Sequence, residues 1–247
     1  MEAEFDTVAS WTAQVALDLG PSFYIPAGCR GSGSPAALDW LMEQLELRPG
    51  EVLLDSGAGV GGPAAYAVKQ RSVQPVLVEP EAGACRASRS LFGLPVVQAS
   101  AADLPFAGES FDAAWSLGVL CSMAEQLSLL TELRRVVREP GRIGLLVFVA
   151  TSSAPLDQPE GNNFPTAPAL AELVDRAGLR VETRRSTADM PAIPQRWQHQ
   201  VDAVSDELSR RHHRERGWQL AERQSSAIGT LLETGAVTGE LLLLRRG

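Results

Sequence analysis

The stretch whose reading decides the fold is residues 51–62, EVLLDSGAGVGG. A short apolar run, Val52 to Leu54, reaches Asp55 and then meets Gly57, Gly59, Gly61 and Gly62. A strand that ends in such a turn lets a ligand approach bare backbone. Two spacings are superimposed. Gly57, Gly59 and Gly62 match the dinucleotide fingerprint G-x-G-x-x-G. Asp55, Gly57, Gly59 and Gly61 match a different pattern, D-x-G-x-G-x-G. The surrounding chain has to choose between them.

Outward from this stretch, strand and helix patterns alternate. A strand at 51–55 is followed by a helix over about 61–70, a strand at 75–79 by a helix to about residue 92. A strand at 95–100 leads into the loop AADLPFAGES, and a strand at 111–117 into a helix. Ser122 with Glu125 three residues on has capping-box spacing for the start of that helix. Leu127, Leu130, Leu133 and Val137 form its inward stripe. IGLLVFVA (143–150) is continuously apolar, as expected of a strand covered on both faces. A helix after Pro168 carries Leu170, Leu173, Val174 and Ala177, with Gly178 as its stop. LRVETRRS (179–186) and VTGELLLLRR (237–246) read as the last two strands. The pattern predicts an α/β fold, a doubly wound, seven-stranded, mostly parallel sheet.

Before the sheet, Phe5, Val8, Val15 and Leu19 give a helical stripe ended by Gly20-Pro21, and residues 21–35 read as loop. Ser34 then caps a helix with Pro35 in its first position and a stripe of Leu38, Leu41, Met42 and Leu45. Residues 191–235 are too long for a simple connection. Trp197, Val201, Val204 and Leu208 are spaced four, three, four, and Leu220, Ala227, Ile228 and Leu231 follow, so a helical insert is expected before the last strand. The expected organisation is one domain over 1–247. N-terminal helices and a flap occupy 1–50, the core 51–190 and 236–247, and the insert or lid 191–235.

With 22 basic and 30 acidic residues the formal net charge is −8, which disfavours a nucleic-acid partner. Cys29, Cys85 and Cys121 are scattered, with no C-x-x-C pair, so neither a disulfide framework nor a metal site is expected. MEAEFDTVAS lacks an apolar leader core, and 143–150 is far short of a membrane span. A cytoplasmic protein without a membrane partner is the expectation, as monomer or homodimer.

Three acidic positions bear on the ligand. Asp55, at the end of the first strand, suits a cationic amino-acid moiety and would repel a pyrophosphate. Glu79, at the end of the second strand, can accept both hydroxyls of a ribose, which serves NAD and S-adenosylmethionine alike. Asp103 follows the third strand, where it could accept from an adenine amino group. With VLLDSGAGVGG (52–62), VLVEP (76–80), ADLPFAGESFDAAWS (102–116) and LRRVVREPGRIGLLVF (133–148) in this order and spacing, the chain resembles the class I S-adenosylmethionine-dependent methyltransferases, in the type 11 group of small-molecule enzymes.

The resemblance implies a class I methyltransferase Rossmann-like core with S-adenosylmethionine as cofactor and S-adenosylhomocysteine as product. It further implies that Ser56, Gly57, Ala58 and Gly59 pack on the methionine part, with Asp55 helping to anchor its ammonium. Glu79 would hold the ribose, Pro80 lie on the adenine, Ala102 and Asp103 hold the adenine edge, and backbone at Leu117 reach the amino-acid end. Phe23 and Tyr24 resemble a flap that closes over the cofactor. The chain departs from the family where a histidine often follows the fourth strand: the positions read Val119, Leu120, Cys121 and Ser122. Pro140-Gly141-Arg142 replaces Pro-Gly-Gly, a change expected to affect only a turn.

Methyl transfer needs chiefly an in-line nucleophile and a dry site, and no catalytic side chain is assigned. The acceptor contacts expected are Phe23, Tyr24, Cys121, Trp197 and His199, around a small, apolar or aromatic acceptor. His212 and His213 sit in the charged run RRHHRER and read as solvated. Two other readings stay open: an NAD-dependent reductase, and a non-catalytic S-adenosylmethionine-binding protein that acts through a partner.

Overall fold

The computed structural model describes residues 2–152 and 158–247, with side chains from Asp6 onward; the Phe5 side chain of the first helical stripe lies outside the described residues. Seven strands form one sheet: β1 (Val52–Ser56), β2 (Gln74–Glu79), β3 (Val96–Gln98), β4 (Phe111–Leu117), β5 (Val137–Ala150), β6 (Leu179–Ser186) and β7 (Val237–Arg246). Their order is β3-β2-β1-β4-β5-β7-β6. β7 runs antiparallel between β5 and β6, and the remaining neighbours are parallel. The order reverses between β1 and β4, the switch point where open α/β sheets bind ligands beyond the strands' carboxyl ends.

Side chains that alternate along each strand feed two cores. Leu54 and Ala114 face one layer, where helix α6 (Gln126–Val136) contributes Leu129, Leu130 and Leu133 and helix α7 (Ala167–Arg176) contributes Leu170 and Val174. Leu53, Ala113 and Trp115 face the other. There helix α3 (Pro35–Gln44) contributes Leu38, Leu41 and Met42, and helix α4 (Gly62–Arg71) contributes Tyr66. Ser34 caps α3 as its sequence predicts, its hydroxyl accepting from the Ala37 N–H at 3.2 Å. Helix α5 (Ala82–Phe92) closes the edge behind β2 and β3.

Three local expectations are corrected. Residues 21–35 are not simply loop: after helix α1 (Glu2–Leu19), a 3₁₀ turn at Pro21–Phe23 leads into the short helix α2 (Tyr24–Gly28). Composition hid α2 because its stability comes from docking and not from propensity. The capping box at Ser122 does not form. Leu120–Ser122 is a 3₁₀ turn, Ser122 Oγ donates to the Val119 carbonyl at 2.9 Å, and α6 starts four residues later without a side-chain cap. Arg142 is more than a turn residue. It is buried under the sheet and donates to the carbonyls of Leu45 (2.8 Å) and Asp112 (3.1 Å) and to the Glu51 carboxylate (2.7 Å). One guanidinium thus ties the entries of β1 and β4 to the end of α3.

The insert consists of α8 (Gln195–His212) and α9 (Arg216–Glu233). It leaves β6 and returns to β7 opposite Ala150, at the carboxyl ends of the parallel strands. No helix among the described residues is long and apolar enough to cross a membrane.

α2 seats directly on the start of α4. A Cβ at Gly28 would lie 2.8 Å from Gly62 Cα, and one at Gly62 would meet the Gly28 and Cys29 backbone. Neither contact partner can swing aside, because both are main chain. Gly62→Ala is therefore expected to lower the unfolding free energy by about 1–3 kcal/mol, although alanine is otherwise the better helix former. A urea melt reads this directly; an unchanged or raised midpoint would contradict the close crossing.

Candidate functional site

The glycine turn after β1 is held by β2. The N–H groups of Gly57 and Ala58 both donate to the Val78 carbonyl, at 2.8 and 3.0 Å. The Gly59 N–H donates to Glu79 Oε2 at 2.8 Å, and the Gly61 N–H to the Ala58 carbonyl at 2.9 Å. A pyrophosphate on such a loop requires amide donors turned toward it. In this turn they are spent inward, on the neighbouring strand and on the turn itself.

The four glycines do different work. Around Gly59 (φ +55°) a Cβ would meet open space. Gly57 is covered by the Val119 side chain, Gly61 by Ser88 and Leu77, and Gly62 by Gly28. Gly59 is thus the point where the turn faces room for a ligand, and Val119, just beyond β4, is a neighbour of that room.

Two buried carboxyls flank the turn. Asp55 is 1% exposed. Its Oδ2 and the nearby Trp115 indole N–H each lack a hydrogen-bond partner among the described residues. Burial pushes the Asp55 pKa up to about 7, and the Glu79 charge adds to this. The Trp115 and Ala64 N–H groups pull the other way, the indole without closing a well-formed hydrogen bond. Glu79 is 7% exposed, its Oε1 accepting from the Glu81 N–H at 3.1 Å. Its pKa is raised by burial, which the Gly59 and Glu81 N–H groups partly offset. Two carboxyls raised by desolvation are an environment that favours a cation and opposes a phosphate. An ammonium beside Asp55 would restore its ordinary acidity.

The remaining sequence-predicted residues fall as follows. Ser56 is buried beside this turn, its carbonyl accepting from Ser116 Oγ at 2.9 Å. Pro80 is exposed one residue past β2, and its carbonyl accepts from Gln98 Nε2 at 3.0 Å. Ala102 and the exposed Asp103 form the turn after β3, where the Ala102 N–H is engaged by Ser100 Oγ at 3.1 Å. Leu117 ends β4 and is buried. Phe23 and Tyr24 are half-buried and pack, with Val60 of the glycine turn, on the cluster that joins α1, α5 and α8. α8 is tied to this flap by Gln200 Nε2, which donates to the Ser22 carbonyl at 2.7 Å.

The expected acceptor contacts do not converge as a group. Trp197 packs edge-on against Tyr66 of α4, ring centroids 5.9 Å apart, and His199 is exposed. Cys121 is buried with Ala150, Phe164 and Val237, and burial raises its pKa. His212 stacks on Trp11 at 3.9 Å. What crosses the carboxyl ends of the strands is α9. Trp218, near its start, is buried with α1 and α2, while Ile228 and Leu231, three turns on, pack against Cys121, Phe164 and Val237. Sequence reading expected α9 as the second helix of the insert but gave it no part in the site, because its stripe is only half-buried, and it missed Val119 because an apolar residue after a strand carries no chemical signal. A cavity of about 660 Å³ at the opposite, amino ends of the strands is lined by paired charges such as Arg142 with Glu51 and Arg138 with Asp112, and belongs to the sheet's underside.

A protein-family model described as a methyltransferase domain matches residues 54–145. The methyltransferase GfsG of Streptomyces halstedii is 30% identical over 116 residues, 44% of this chain and 42% of that protein. The (+)-O-methylkolavelool synthase of Herpetosiphon aurantiacus is 28% identical over 169 residues, 64% and 60% of the two chains. The chain therefore spans about half the length of the curated relatives it matches. Among solved structures, the [4+2]-cyclase SpnF superposes with a TM-score of 0.67 at 20% identity, over 85% of this chain and 79% of that one.

The Asp55 environment makes a pH-dependent prediction. The folded pKa, about 7, lies above the unfolded one. The neutral acid therefore stabilises the fold fully below about pH 4, and this contribution is lost as pH rises through 7. Asp55→Asn, which keeps a neutral group, should gain on the wild type by a few kcal/mol between about pH 4 and pH 7. Thermal melts across that window test this, and parallel curves would contradict it. The strand order with its antiparallel β7 and the structural likeness give the chain the class I methyltransferase fold, and residues 54–145 of it match a methyltransferase domain.

Proposed function

We propose that this protein transfers the methyl group of S-adenosylmethionine to a small, largely apolar or aromatic acceptor. In this reaction the acceptor's lone pair attacks the sulfonium methyl in line. The carbon–sulfur bond breaks, its electron pair returns to sulfur, and neutral S-adenosylhomocysteine leaves. A protic acceptor gives up its proton to solvent or to a base. The observation that carries the reading is the buried Asp55 carboxyl, with one oxygen unpartnered, beside a turn whose amides already serve β2. That arrangement suits an ammonium and leaves little for a dinucleotide phosphate, so it speaks against the reductase alternative.

In this reading Glu79 takes the ribose hydroxyls while it keeps Gly59 in place, since a carboxylate has lone pairs for both. Pro80, Ala102 and Asp103 border the adenine. Phe23 and Tyr24 belong to the cover above the turn, and Leu117 and Val119 to the floor where methyl transfer takes place. The acceptor wall comes from α9, with Trp197 placed to brace α8 on α4. The sulfonium activates its own methyl, so positioning and exclusion of water carry most of the barrier reduction. The described histidines are exposed or stacked, which suits an acceptor that needs no imidazole base. It also keeps a second reading in view: a protein that binds the cofactor without using its methyl.

S-adenosylhomocysteine should bind one-to-one by titration calorimetry. Glu79→Ala should weaken that binding roughly ten- to a hundredfold, because it removes hydrogen bonds to a charged acceptor and frees the Gly59 amide. Unchanged affinity would move the ribose elsewhere. Incubation with methyl-labelled S-adenosylmethionine and an extract of small metabolites separates the two readings. Label in an extractable small molecule is expected; bound cofactor with no label transferred would favour the non-catalytic protein.

A further inference from the structure

Arg30 is the sole charged residue between Asp18 and Asp39. It follows α2 in a loop that lies against the functional ends of the strands. A Cβ at Gly118, just past β4, would lie 3.3 Å from the Gly31 carbonyl, and one at Gly33 would lie 3.4 Å from Leu146 Cδ2 of β5. The preceding residue, Cys29, is buried and close enough to Asp55 to feel its charge. Arg30 is therefore built into the wall of the same site.

Its side chain is half-buried and makes no hydrogen bond or ion pair among the described residues. The guanidinium lies over the ring of Trp218, 5.9 Å from its centroid. Desolvation lowers its pKa, and Glu222, one turn further along α9, offsets this in part. Other arginines of the chain find carboxylates: Arg135 has Glu132, Arg142 has Glu51, Arg184 has Glu240, and Arg211 has Asp18 and Glu207. A partly desolvated guanidinium without an anion is costly, and the cation–π contact with Trp218 replaces only part of the lost hydration. The contact with the ring face leaves the N–H donors of the guanidinium free for a planar or tetrahedral anion. Trp218 places it beside the first turn of α9, the element assigned to the acceptor wall.

We propose that Arg30 is a specificity residue that binds an anionic group, carboxylate or phosphate, carried by the methyl acceptor. This rests on the methyltransferase reading and deepens it: the acceptor is an apolar body with an acidic handle.

The test uses the full chain saturated with S-adenosylhomocysteine and a panel of apolar anions, each with a neutral counterpart: 2-naphthoate with 2-naphthamide, decanoate with decanamide, geranyl phosphate with geraniol. Calorimetry should find, for at least one pair, the anion about tenfold or more tighter than its counterpart. A charge-assisted bond of this size is ordinary. Arg30→Gln should reduce that preference to within about twofold, and Arg30→Lys should restore part of it, while S-adenosylhomocysteine affinity stays level in both variants. If Arg30→Gln does not fold, the wild type and Arg30→Lys still decide, because both must prefer the anion and lose that preference in high salt. Equal binding of anions and neutral counterparts by the wild type overturns the proposal, as does a preference that survives Arg30→Gln. A tenfold loss of S-adenosylhomocysteine affinity in the variants assigns Arg30 to the cofactor's carboxylate and likewise overturns it. A wild type that binds no S-adenosylhomocysteine fails at the earlier step, in the methyltransferase reading itself.

Discussion

The structure turns on how the glycine turn is bonded to the second strand. Val78 supplies one carbonyl to two consecutive amides, and Glu79 supplies a carboxylate oxygen to a third. This fixes the turn's backbone before any ligand arrives and faces its donors inward. The site is therefore defined by acceptors: the free Asp55 oxygen, the remaining lone pairs of Glu79, and backbone carbonyls. A site of that polarity selects for cations and hydroxyls. The order of the strands follows from the same place, since β2 must lie beside β1 for the bonds to exist and β4 must lie on the other side to leave the crevice open.

Much of the fold was legible in the sequence, because local signals and tertiary needs agreed there. The boundaries of β4, β6 and β7, the Ser34 cap on α3 and the two-helix insert come from period, capping and chain length alone. The errors share a cause. α2 is a helix because Gly28 and Gly62 let two backbones touch, and nothing in PSFYIPAGCRG announces that contact. The Ser122–Glu125 spacing was genuine, but the turn after β4 tightened into a 3₁₀ segment and moved the helix start past it. Arg142 looked like a turn substitution because its terminal guanidinium nitrogens are satisfied by carbonyls and a carboxylate from elsewhere in the chain.

The candidate site divides the same way. Asp55, Glu79 and the glycine positions were readable because each needs a particular residue type at a particular strand end. The acceptor side was less so. Trp197 looked like a pocket wall because it is large and begins an apolar stripe, yet the stripe is used to pin α8 on α1, α2 and α4. In the proposed reading the wall comes instead from α9, whose Ile228 and Leu231 pack against Cys121, Phe164 and Val237. Arg30 carried a signal that could have been read earlier: one cation in twenty otherwise uncharged residues, within a glycine-rich loop.

The central claim is that Asp55, held neutral by burial, ionises to receive the cofactor's ammonium. Calorimetric titration of S-adenosylmethionine at about pH 6.5, in buffers of different ionisation enthalpy, measures this as proton release. The account predicts release of a substantial fraction of one proton per site, which shrinks above about pH 8 and is absent in Asp55→Asn. Tight binding with no proton released at any pH, or binding of NADH with no affinity for S-adenosylmethionine, would contradict it.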